Sequence, residues 1–170
     1  MTKRPPANGG KVRVGVLGAT GMVGQRFAQL LEHHPQFVIT AMAASDRSQG
    51  KRYVDATAWR LPGEMPANVR DLTVQAPAPP LDCDVIFSSL PGDIARDVEG
   101  KFAAAGYPVI TNSSAYRMDD GVPLLIPEIN ADHLKLLDKC KEGGFIVTNP
   151  NCSTVVVAMS LAPLHRVFGI

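Results

Sequence analysis

The sequence predicts an α/β fold, a doubly wound and mostly parallel sheet covered on both faces. Two observations carry that expectation. Short apolar, β-branched runs alternate along the chain with stretches of helical periodicity, which calls for right-handed crossovers between parallel strands. The first apolar run also flows directly into a glycine-rich loop that opens the first helix, as in Rossmann-like nucleotide-binding folds. A length of 170 residues at 45% hydrophobic supplies one core of usual size.

Residues 12–17 (Val-Arg-Val-Gly-Val-Leu) read as the first buried strand. Across residues 22–34, Val23, Phe27, Leu30 and Leu31 recur at helical spacing, and Pro35 stops the helix. Residues 37–43 form the second strand, followed by a polar turn. Residues 53–66, with Trp59, Pro62, Gly63 and Pro66, read as an irregular surface excursion. A strand is expected at 71–75, a stiff connector at Pro77, Pro79 and Pro80, and a strongly apolar strand at 84–90. A helix at about 94–105 ends at Gly106, and a strand follows at 108–111. The pattern then gives a helix over 131–141 with Asn130 or Asp132 near its cap, a strand at 144–148, and an apolar helical run to the end. The expected organisation is a loose tail at 1–11, a nucleotide-binding domain at 12–148, and the start of a second domain at 149–170.

Three motifs carry chemistry. In Gly18-Ala19-Thr20-Gly21-Met22-Val23-Gly24, Gly18 permits a tight turn, Gly21 lets backbone approach a pyrophosphate, and Gly24 lets helix and strand pack closely. The helix N-terminus then offers N–H donors to the anion. After the second strand, Ser45, Arg47, Ser48 and Lys51 outweigh the single acid Asp46. That balance favours the 2′-phosphate of NADP over the ribose hydroxyl of NAD. The third motif, Asn149-Pro150-Asn151-Cys152-Ser153-Thr154, places Cys152 where a strand turns into a helix. Unpaired N–H groups and the helix dipole there favour a nucleophilic thiolate, and the Asn151 amide can polarise a carbonyl. Taken alone, such a cysteine reads more readily as a small buried residue; the neighbouring motifs reverse that preference.

Two further strand ends stay open. Ser88, Ser89 and Leu90 either line the cofactor or begin the following helix. In Asn112-Ser113-Ser114-Ala115-Tyr116-Arg117-Met118, Arg117 either grips a carboxylate or phosphate or lies on the surface. None of His33, His34, His133 and His165 falls in a motif that marks a catalytic base.

A net charge of +1 without a basic, aromatic-laced stripe argues against nucleic acid, and no apolar run approaches the ~20 residues of a membrane span. Cys83, Cys140 and Cys152 are odd in number and form neither a disulfide framework nor a metal knuckle. Reduced cytoplasmic thiols and no metal are therefore expected.

The motifs Gly-Ala-Thr-Gly-Met-Val-Gly, Ser-Asp-Arg-Ser-Gln-Gly-Lys, Ser-Ser-Leu-Pro, Asn-Ser-Ser-Ala-Tyr-Arg-Met, Ile-Pro-Glu-Ile-Asn and Asn-Pro-Asn-Cys-Ser-Thr occur in order from about residue 12 to the end. Together they resemble aspartate-semialdehyde dehydrogenase, its archaeal and fungal branch above all. The resemblance implies NADP-dependent reductive dephosphorylation of L-aspartyl 4-phosphate to L-aspartate 4-semialdehyde, a step towards lysine, threonine, methionine and isoleucine. It implies Cys152 as acyl-thioester nucleophile, Asn151 holding the substrate carbonyl, and Arg117 binding the transferred phosphate. Thr20, Gly21, Met22 and Val23 match its NADP phosphate loop, and Ser45, Arg47 and Ser48 its 2′-phosphate site. Malonyl-CoA reductase of the same architecture is the alternative, and a nucleotide-binding fragment without activity is another. Members of the family are about twice as long, so the chain is expected to be an amino-terminal part. The family's histidine base, carboxylate-binding arginine and homo-oligomer surface lie beyond it.

Overall fold

In the computed structural model, described for residues 10–140 and 143–170, six parallel strands form one sheet. They are β1 (Val12–Leu17), β2 (Phe37–Ala43), β3 (Val74–Gln75), β4 (Val85–Ser88), β5 (Pro108–Thr111) and β6 (Phe145–Thr148). Their spatial order is β3-β2-β1-β4-β5-β6, so the winding direction reverses between β1 and β4. All five pairings are parallel, as expected for strands linked by crossovers. Most of the expected tail, residues 1–9, and Lys141 of the expected helix lie outside the described residues.

The two faces of the sheet bury separate clusters. On one, Val14 and Val16 of β1 and Met42 and Val74 pack with Ala28 and Leu31 of α1 (Met22–Leu31). Tyr53 of α2 (Tyr53–Ala56) and Val69 of α3 (Ala67–Arg70) complete that cluster. On the other, Leu17, Ala43, Ile86, Val109 and Ile146 pack against Phe102 of α4 (Gly92–Ala104). With helices on both faces, five of the six residues of β1 are buried, and apart from Arg13 the strand is apolar. At the opposite end of the sheet from the glycine loop, the buried Arg13 donates to both oxygens of Asp84, at 3.1 and 2.7 Å, tying β1 to the segment entering β4.

Several expected elements change. Helix α1 stops at Leu31, three residues early, because His34 Nδ1 accepts the N–H groups of Gln36 and Phe37 and turns the chain into β2. The excursion at 53–66 is not purely superficial: it contains α2, Tyr53 is fully buried, and its hydroxyl donates to Ala19 O at 2.8 Å. Helix α3 has no counterpart in the sequence reading. The helix expected at 131–141 is a 3-10 helix (Ala131–Lys139) that follows α5 (Pro127–Asn130). Asn130 occupies its N-cap position, as expected, but makes no side-chain cap bond; its amide folds back to Ile126 N and Leu124 O. The chain ends in α6 (Cys152–Phe168), none of whose residues is buried. No helix among the described residues is long and apolar enough to cross a membrane.

Candidate functional site at the carboxyl edge of the sheet

The strand-order reversal opens a crevice outside the carboxyl ends of β1 and β4, the place where open α/β sheets bind ligands. The glycine loop sits there. Gly18 has a positive φ of 74°, and a Cβ on Gly24 would overlap Gly18 O and come within 2.7 Å of the Ala19 Cα. The loop therefore lies flat on the start of α1.

Its carbonyls are tied back into the protein. Ala19 O takes the Tyr53 hydroxyl, and Thr20 O takes the Gln25 amide at 3.0 Å. Buried Gln25 also bonds Ala58 O and Arg60 N, fastening residues 58–60 beside the loop. No side chain caps α1, and its first intrahelical bond runs from Gln25 N to Gly21 O. The N–H groups of Met22, Val23 and Gly24 are thus available to an anion. A cleft of about 320 Å³ opens there, lined by Thr20, Gly21, Met22, Gln25 and Arg60 among others. These features fit a dinucleotide pyrophosphate.

Beyond β2, Ser45 and Arg47 are exposed and free to meet a phosphate. Ser48 departs from the expectation: it is buried beneath the turn, its N–H bonded to Ser45 O at 2.9 Å. Ser88 departs further. Its hydroxyl donates to the buried carboxyl of Glu99 at 2.6 Å, so it faces α4 and not the crevice. Ser89 stays at the edge, its hydroxyl and N–H both on Leu17 O, and Leu90 packs half-buried against the core.

The nucleophile motif arrives from β6. Asn151 is the N-cap of α6, its side-chain oxygen accepting Thr154 N–H at 2.8 Å, which leaves its NH₂ free to donate. Cys152 is the first helical residue and is exposed. Arg117 is not a loose surface residue. Its Nε donates to Asn149 O and its Nη2 to Asn112 O, both at 2.8 Å, bracing the segment that leads into Cys152. Three of its five N–H groups remain for an anion. The Asn149 amide donates to Asn112 Oδ1 at 2.6 Å, so the loops after β5 and β6 are one unit.

Sequence reading missed Gln25, Tyr53, Arg60 and Glu99. Glu99 had a legible signal: Ala95, Glu99 and Phe102 share one helical face and all are fully buried. Gln25 and Tyr53 act through backbone partners distant in sequence and left no such trace.

Residues 13–137 match the family described as "Semialdehyde dehydrogenase, NAD binding domain". The chain belongs to that family. It is 52% identical over 156 residues to the aspartate-semialdehyde dehydrogenase of Archaeoglobus fulgidus, covering 89% of this chain and 46% of the relative. To the Cryptococcus neoformans aspartate-semialdehyde dehydrogenase it is 42% identical over 178 residues, covering 99% of this chain and 47% of the relative. Its backbone matches the crystal structure of aspartate-semialdehyde dehydrogenase with NADP from Candida albicans at a TM-score of 0.88 and 41% identity, covering 94% of this chain and 48% of that one. The chain spans about half the length of the curated relatives it matches.

Proposed function

We propose that this chain is the nucleotide-binding half, with the nucleophile, of an aspartate-semialdehyde dehydrogenase that converts L-aspartyl 4-phosphate to L-aspartate 4-semialdehyde with NADPH. The observation that carries the reading is the position of Cys152: exposed at the first turn of α6, behind the Asn151 cap, on the sheet edge that also holds the glycine loop. The relatives named above support the substrate class.

In the proposed reaction Cys152 Sγ attacks the acyl carbonyl of the substrate. The S–C bond forms, the C–O bond to phosphate breaks, and the electron pair leaves with the phosphate. The free Asn151 NH₂ donates to the oxyanion as charge develops on it. Arg117, braced on two carbonyls, directs its remaining N–H groups at the departing phosphate. Bound NADPH supplies the hydride that turns the thioester into an aldehyde. Cys152 then recovers its electron pair as the S–C bond breaks. The Met22, Val23 and Gly24 N–H groups hold the pyrophosphate, and Ser45 and Arg47 the 2′-phosphate. The domain boundary belongs to the same proposal: residues 12–148 bind the nucleotide, and 149–170 begin the catalytic domain. The remaining substrate groups and the base come from the other half of the full-length enzyme, a homo-oligomer in a reducing, cytoplasmic setting.

The test is NADP⁺ reduction by aspartate semialdehyde in the full polypeptide that carries this chain. Turnover should require phosphate and vanish in Cys152→Ser. Phosphate-independent turnover, or faster reaction with malonyl-CoA than with aspartyl phosphate, contradicts the reading.

A further inference from the structure

Helix α4 lays one acidic side chain on the sheet. Glu99 is fully buried between Ala95 and Phe102, at a position where an apolar residue would bury without desolvating a carboxyl. Its Oε1 accepts two hydroxyls, Ser88 Oγ at 2.6 Å and Thr111 Oγ1 at 2.7 Å. Those residues end β4 and β5 and are register partners in the sheet. Its Oε2 is buried with no partner. A group this costly that leaves half its bonding capacity unused is poorly explained by stability alone.

The bonds beyond it run into the site. Thr111 Oγ1 accepts Ser113 N–H at 2.9 Å, and Ser88 O accepts Asn112 N–H at 3.0 Å. The same helix holds the rest of that loop from its outer side, where the Tyr116 hydroxyl donates to Arg96 O and Arg96 grips Asp119. One carboxyl oxygen therefore gathers the ends of two strands from which residues 89–91 and 112–114 depart.

We propose that Glu99 is a positioning residue that sets these two loops for the nicotinamide half of the dinucleotide. The inference rests on the nucleotide-binding reading above. A dinucleotide lies across the crevice at the order reversal, one half on each side. The 2′-phosphate and pyrophosphate groups belong to the β1–β2 side, with Gly18 to Gly24, Ser45 and Arg47. The nicotinamide half belongs to the β4–β5 side. The Glu99 clasp touches the second side only, so its loss is selective where a general loosening of the fold is not.

Calorimetric titration of the 170-residue chain with NADP⁺ and with 2′,5′-ADP separates the two. Glu99→Leu, which removes both hydroxyl bonds, should raise the Kd for NADP⁺ about tenfold and leave 2′,5′-ADP within about twofold. Glu99→Gln, whose carbonyl oxygen still accepts both hydroxyls, should recover most of that loss. Thr111→Val should repeat the selective loss in milder form, and it decides the matter if Glu99→Leu does not fold. Equal weakening of both ligands, or of neither, overturns the proposal while leaving the nucleotide site standing. A wild-type chain that binds neither ligand overturns the nucleotide reading and this proposal with it.

Discussion

Three cysteines in one chain meet two kinds of surroundings. Cys83 is buried against Gly15 and Ile86, and desolvation pushes its thiol up to about 12, with the Asp84 charge adding to the effect. Cys140 and Cys152 are exposed. Iodoacetamide at pH 8 should label Cys140 and Cys152 and spare Cys83, read by mass spectrometry of peptides; labelling of Cys83 in the folded chain contradicts the placement. In the full enzyme Cys152→Ser should lower kcat by ~10⁴-fold or more, as loss of a covalent nucleophile does, with little change in NADP⁺ affinity. Glu99 gives a residue-scale pH effect. Burial raises its pKa above the unfolded value, partly opposed by the Ser88 and Thr111 hydroxyls. Its contribution to stability is therefore fully present below about pH 4.3, the ordinary glutamate value, and is lost as pH rises through the raised folded value. Glu99→Gln should flatten that part of a denaturation-midpoint-versus-pH curve; an unchanged slope shows that Glu99 does not titrate there.

Among the elements, α1 and α6 both start at the site but are ended off differently. Helix α1 has no side-chain cap and keeps its donors for a ligand, whereas α6 is capped by Asn151. Asn151→Ala should cost about 1 kcal/mol of α6 stability, visible as faster amide exchange over its first turns. Gly24→Ala should cost about 1–3 kcal/mol and weaken NADP⁺ binding, because the new methyl group meets backbone that has nowhere to move; a neutral change in both measurements refutes that packing. These elements also show how far the sequence could be read. Strands β1, β2 and β5 were legible to the residue, since β-branched runs are local signals. The 3-10 helix and α3 were not: the first depends on Asn130 folding back on α5, and the second is a four-residue turn with no periodicity to detect. At the site, the loop glycines were readable because Gly answers to backbone geometry. The inward turn of Ser88 was not, because it depends on a glutamate eleven residues on.

At the scale of the whole molecule, the sheet and α6 are unequal partners. The sheet buries two clusters, one on each face, while α6 leaves Val156, Val157, Val167 and Phe168 more than half exposed. A helix apolar on all sides belongs inside a larger body. Deleting residues 149–170 should therefore leave the melting temperature of the nucleotide-binding part within a few degrees and reduce binding of the dye ANS. A collapse of the fold on deletion would place α6 in the core of this domain.

The strand order has a consequence for the birth of the protein. With β1 at the centre, β2 and β3 extend the sheet one way and β4, β5 and β6 the other, each laid on an edge left open by a strand already made. A ribosome delivering the chain from its amino end thus hands over the strands in a sequence that never requires an insertion between two already paired. The one long wait comes at β4, whose partner β1 was made some 70 residues earlier (Val14 pairs with Val85). Closing that span, where loop entropy is greatest, is the step that slow translation would most help and early release would most endanger.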